Sequence, residues 1–141
     1  AADHAAQPEV RFAALFFGME QEPVNSSIAA IKPPRRFAEL ALLAATLGPV
    51  VNDGAAHDAP TKLALLEQAD AFRRPERFDA LLLVCDALAD GPPCGIDWRA
   101  ALAACAGIDS RELLEAGLRG PDVGQELRRR REAALADLAG A

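Results

Sequence analysis

Asp70-Ala-Phe-Arg-Arg-Pro-Glu-Arg-Phe78 is the stretch on which the reading of this chain turns. One apolar helical pattern ends here and another restarts at Pro75. The residue before a proline is pushed out of the helical region, whereas proline itself suits a first helical turn. Upstream, Leu63, Leu65, Leu66, Ala69 and Phe72 mark one face of a helix over 60–74. Downstream, Phe78, Leu81, Leu82, Cys85 and Leu88 mark a second, over about 75–90, closed by Gly91-Pro92-Pro93. Arg73, Arg74 and Arg77 crowd the joint between them.

Working outward, Asp97 reads as the N-cap of a helix carrying Trp98, Ala101, Leu102 and Cys105, with Gly107 as its stop. Asp109 and Glu112 have the spacing of a capping box, Leu113 and Leu114 give a buried face, and Gly117 ends that short helix. A last helix starts at Gly120-Pro121 and runs to about Leu138, with Val123, Leu127, Ala134, Leu135 and Leu138 inward. Toward the N-terminus, a buried helix is expected over 8–17 and a break over 18–24. Asn25-Ser26-Ser27 then cap a short helix that ends before Pro33. A helix over 36–47 is bounded by Pro34 and Gly48-Pro49, and 50–59 is a loop whose Asp58 caps the helix beginning at Pro60. The pattern predicts an all-α fold, an irregular multi-helix bundle of about six to eight short helices. For residues 60–141 the expected core is Leu66, Phe72, Phe78, Leu82, Trp98, Leu102, Leu114 and Leu127.

The 141 residues suffice for one ordinary domain or two small helical subdomains sharing a core. Hydrophobic residues make up 51%, mostly Ala and Leu, aromatics only 5%, and tyrosine is absent, which favours closely packed helices over a sheet. The formal net charge of −6 makes the whole chain repel a polyphosphate, so any nucleic-acid contact must come from local basic patches. Cys85, Cys94 and Cys105 are odd in number and lack C-x-x-C spacing, so neither a disulfide framework nor a zinc site is indicated, and a reducing cytoplasm fits. No apolar run reaches the roughly 18 to 20 residues that span a bilayer, and a signal-peptide layout is missing. The first residue, Ala1, suggests a trimmed product or an excised piece.

Two readings compete at the basic clusters. Arg73, Arg74 and Arg77 can grip successive phosphates bidentately, or pair locally with Asp70, Glu76 and Asp79 at helical spacings. Gly117-Leu-Arg-Gly-Pro-Asp-Val-Gly124 places backbone N–H groups at the start of the last helix, near Gly120, where a phosphate can bind with help from Arg119. Asp122 in the first turn already serves that helix dipole. Arg128-Arg-Arg-Arg131 covers slightly more than one turn, so its charges fan around the axis, partly offset by Glu126 and Glu132. His4 and His57 each have one neighbouring Asp, too few ligands for a metal site, and nothing arranges a Ser-His-Asp triad. No catalytic residue, metal or cofactor is expected.

The junction residues Asp70, Ala71, Arg73, Arg74, Pro75 and Arg77 resemble the Asp-Ala-x-Arg-Lys-Pro-x-Arg junction of the bacterial CCA-adding tRNA nucleotidyltransferases, and Leu81, Leu82 and Asp86 resemble the Leu-rich helix and acidic residue that follow it there. Gly117, Gly120, Pro121, Val123 and Gly124 are similar to that family's later Gly-x-x-Gly-Pro-x-Ile-Gly segment, and Leu127 to Leu135 to its basic final helix. Val10-Arg-Phe-Ala-Ala-Leu15 resembles the helix that leads into a His-Asp metal motif in members carrying a phosphohydrolase domain. Phe17 and Gly18 stand at that motif's positions, and a later family histidine falls near Gly48. The resemblance implies a degenerate His-Asp-domain-like segment over 1–59 and a tRNA-binding-like helical domain over 60–141. It implies no phosphohydrolase activity and a nucleotidyl-transferring head outside these residues. The implied partner is tRNA, held along its acceptor and T-arm by backbone contacts at Arg73, Arg74, Arg77, Arg119, Gly120, Arg128 and Arg131. The alternative is an interaction or dimerisation module, a second copy of the chain included, that kept the fold and lost RNA.

Overall fold

The computed structural model describes residues 7–140, so His4 lies outside the described residues. Among the described residues eight α-helices follow one another: α1 (Pro8–Ala14), α2 (Gln21–Ile31), α3 (Arg35–Asn52), α4 (Ala59–Gln68), α5 (Pro75–Leu88), α6 (Gly95–Ala106), α7 (Ser110–Glu115) and α8 (Pro121–Ala139). The described residues contain no strand, and the fold is all-α. α3 packs against α1, α2 and α5, while α8 packs against α4, α6 and α7. Among the described residues, no helix is long and apolar enough to cross a membrane.

One buried cluster draws Val10, Leu40, Leu63, Leu66, Phe78, Leu82, Trp98 and Leu135 from both sides of residue 60. Each large side chain so buried stabilises the fold by roughly 1.5–3 kcal/mol. Phe78 meets Trp98 edge-on at 6.0 Å, and the indole Nε1 donates to the Val51 carbonyl at 2.8 Å, so the buried ring keeps its polar partner. Of the expected core, Leu66, Phe78, Leu82 and Trp98 are buried, and Phe72, Leu102 and Leu127 are half-buried. Leu114 is 44% exposed, a correction, and its neighbour Leu113 is the fully buried one. Successive helix positions point about 100° apart, so the two cannot both face inward from so short a helix.

Several boundaries differ from the sequence expectation. α4 stops at Gln68, not Arg74, because the chain makes a Schellman turn: Ala71 N donates to Leu66 O at 2.9 Å, Asp70 N to Glu67 O at 3.0 Å, and Asp70 takes φ +55°. α2 begins at Gln21, so Asn25-Ser26-Ser27 lie inside it. Pro23 is tolerated there because first-turn N–H groups lack helical partners anyway. α3 runs on through Gly48-Pro49 to Asn52, and the expected loop shrinks to a 3-10 turn at Gly54–Ala56. α6 begins at Gly95, before Asp97, because Asp86 Oδ1 on α5 accepts from both Cys94 N and Gly95 N at 3.0 Å. The caps at Asp58 and Asp109 form as expected, accepting from Thr61 N at 3.0 Å and Arg111 N at 2.9 Å.

Candidate nucleic-acid interface

The Schellman turn after α4 and Pro75 at the start of α5 fix the positions from which Arg73, Arg74 and Arg77 extend. Arg73 is 82% exposed, with Asp70 3.8 Å away. Arg74 Nη1 donates to Glu39 Oε2 on α3, and Glu76 lies 3.9 Å from its Nε. Arg77 donates from Nη1 to Glu39 Oε2 at 3.2 Å and from Nη2 to the Ala69 carbonyl at 3.0 Å. Local pairing therefore holds for Arg73 with Asp70 and for Arg74 with Glu76, while Arg74 and Arg77 also reach a carboxylate more than thirty residues away. Asp79 pairs with Arg99 instead, at 2.6 Å. The Arg74 hydrogen bond, with Arg35 adding to it, holds the Glu39 carboxyl below its ordinary range.

α8 comes back onto this joint. Arg128 Nη1 meets Glu67 Oε1 of α4 at 2.5 Å, and Glu132 lies 3.6 Å from its Nε. The Arg131 guanidinium stacks on Phe72 at 4.2 Å and donates to the Cys105 and Ile108 carbonyls, both at 3.3 Å. Arg129 and Arg130 share Glu126 at 2.6 and 2.9 Å, and these two guanidinium groups pull its carboxyl down to about 2. The helix thus fans its arginines as the spacing requires, with Arg128 reaching Glu67 of α4 and Arg131 reaching Phe72 in the turn after it.

Arg119 does not join them through any contact of its own. Its Nη1 donates to the Leu114 and Leu118 carbonyls at 2.8 and 2.7 Å, closing the C-terminal end of α7. Gly120 opens α8 at φ +60°, with open space where a Cβ would stand and Asp122 in the first turn. Sequence reasoning missed Glu39 and Arg35, which no short-range spacing links to the joint. Arg35 Nε donates to Glu39 Oε1 at 2.9 Å.

The positions that the family resemblance assigns to metal ligands also meet. The Phe17 ring lies against Gly48, where an added Cβ would come within 2.7 Å of it, and Gly18 N donates to the Ala44 carbonyl at 3.4 Å. That contact is apolar, and no group of three His, Cys, Asp or Glu able to hold a metal occurs among the described residues. His57 lies elsewhere, its Nε2 2.8 Å from the Val50 carbonyl, on a groove of about 960 Å³ that also takes in Lys62, Asp97 and Trp98.

Curated relatives align along more than half to nearly all of the chain. A "CCA-adding enzyme" of Pseudomonas putida is 32% identical over 139 residues, 96% of this chain and 38% of that protein. The CCA-adding enzyme of a second Pseudomonas putida strain is 34% identical over 140 residues, with the same two shares. A "Multifunctional CCA protein" of Thioalkalivibrio sulfidiphilus is 43% identical over 86 residues, covering 55% of this chain and 21% of that relative. The chain thus spans 38% of the length of the first two, consistent with a C-terminal portion of such an enzyme. No family model and no solved structure matches the chain.

Proposed function

Because the chain belongs to the CCA-adding enzyme family, we propose that it is the helical tRNA-binding and scaffolding portion of such an enzyme, working in a reducing cytoplasm. Nucleotidyl transfer is then the task of a head outside these 141 residues. Residues 60–141 face the RNA, and residues 1–59 are a degenerate His-Asp-domain-like support whose Phe17–Gly48 contact stands where metal ligands would be, leaving no phosphohydrolase site. The observation that supports the reading is the return of α8 onto α4 and the turn after it, where Arg128 meets Glu67 and Arg131 stacks on Phe72, one residue before Arg73 in the chain.

The residues divide by how their donors are engaged. Arg73 and Arg128 are the phosphate contacts, since both are substantially exposed and held only by ion pairs at the surface. Arg74 contacts phosphate from beside Glu39. Arg119 and Arg131, tied to backbone carbonyls, stiffen the surface, Arg77 is anchored by the Ala69 carbonyl while its Nη1 stays on Glu39, and the Gly120 turn presents the start of α8. An A-form duplex recognised by shape and backbone suits such a surface of cations.

Arg73→Ala and Arg128→Ala should each weaken tRNA binding about threefold to tenfold, roughly 0.7–1.4 kcal/mol. Thermal stability should barely change, because exposed ion pairs are worth about 0–1 kcal/mol. Unchanged tRNA affinity in both variants would favour the interaction-module reading, for which exposed Leu15, Ile31 and Ile96 offer apolar surface.

A further inference from the structure

Three guanidinium groups from two distant segments converge on one carboxylate. Glu39 Oε1 accepts from Arg35 Nε at 2.9 Å, and Oε2 accepts from Nη1 of both Arg74 and Arg77. Three cations thus face one anion, and both oxygens of that anion are occupied. Arg35 is 93% exposed and engages Glu39 through Nε alone, so its terminal nitrogens face solvent. The buried Nε of Arg77 has no acceptor. Glu76, near Arg74, is 74% exposed and 3.9 Å away, too loose to balance the excess charge. The cluster is open to water, since the Glu39 side chain itself keeps 23% of its surface exposed.

A carboxylate and a phosphate group present anionic oxygens at similar spacing to a guanidinium fork, and arginine is the side chain best shaped for either. We propose that Arg35, Arg74 and Arg77 form a phosphate-binding site that Glu39 occupies in the free protein and vacates when a phosphate group enters. In its RNA-bound form this rests on the tRNA-binding reading above, with a backbone phosphate as the incoming group. Glu39 then acts as an internal competitor. It keeps three like charges together in the free protein and weakens every external anion by the work of its displacement.

The test uses the intact chain and two probes, inorganic pyrophosphate and a short RNA duplex. Glu39→Gln removes the competing charge and keeps an oxygen, so pyrophosphate should bind at least fivefold more tightly by calorimetry, and adding Arg35→Ala should erase the gain. Equal affinity in Glu39→Gln and the parent chain, or a gain that survives Arg35→Ala, overturns the proposal. Should Glu39→Gln fold poorly, Arg35→Ala alone serves, because that side chain is exposed. A threefold loss of pyrophosphate affinity supports the site, and no loss overturns it. The duplex separates the sources of phosphate. Tighter duplex binding by Glu39→Gln makes RNA the source. A gain for pyrophosphate with no duplex binding in either protein supports a site for free phosphate compounds and overturns the tRNA-binding reading instead.

Discussion

The Arg77 guanidinium bonds Glu39 with one nitrogen and the Ala69 carbonyl with another, joining the end of α4, the start of α5 and α3. Its side chain is 19% exposed against 82% for Arg73, and burial decides what each removal does. Arg77→Ala leaves a half-buried carboxylate and a carbonyl short of a donor, so it should cost about 1–3 kcal/mol in urea unfolding, with Arg73→Ala below about 1 kcal/mol. The acidic side of these pairs sets a pH dependence. Glu126, drawn down to about 2 first by Arg129 and then by Arg130, favours its charged form in the folded chain. Its contribution is complete above the ordinary glutamate value of 4.5 and is lost as pH falls toward 2. The melting temperature of the parent chain should exceed that of Glu126→Gln near pH 6, and the difference should close by about pH 2. The Glu126 side chain is part of a surface cluster whose arginines are largely exposed, so the difference should be small.

Between neighbouring elements, the sequence is legible where a signal is local and silent where it is not. Asp58 and Asp109 sit beside the N–H groups they cap, and Pro75 beside the helix it starts, so all three could be read directly. Asp86 caps α6 from the preceding helix, and no spacing within 94–98 points to it. The stop at Gln68 was hidden because Asp70, a non-glycine residue, takes the left-handed position where Gly117 does the same work after α7. At Gly48-Pro49, local breaker chemistry lost to packing: α3 continues because Gly48 lets the Phe17 ring lie on its backbone. Gly48→Ala should therefore destabilise the chain by about 1–3 kcal/mol through overpacking. Phe17→Leu in the same chain should recover part of the loss, which a double-mutant cycle of melting midpoints measures. Equal loss with and without Phe17→Leu would mean the ring is not what forbids the Cβ.

For the whole molecule, the all-α class followed from composition and periodicity together, and the buried cluster that runs through both halves of the chain explains why the helices need one another. The arginine joint was legible as a cluster but not as a site, because its partners Glu39, Glu67 and Phe72 come from elsewhere in the fold. A chain of net charge −6 binds RNA only if a few arginines outweigh the general repulsion, so counterion release is the sharpest probe of the account. The decisive measurement is the affinity of the intact chain for tRNA across a salt series. The account predicts weak binding whose logarithm falls linearly with the logarithm of salt, by about 0.9 for each phosphate neutralised, with a shallower slope for Arg73→Ala. Binding that is absent at low salt, or a slope that is flat or unmoved by Arg73→Ala, would contradict it.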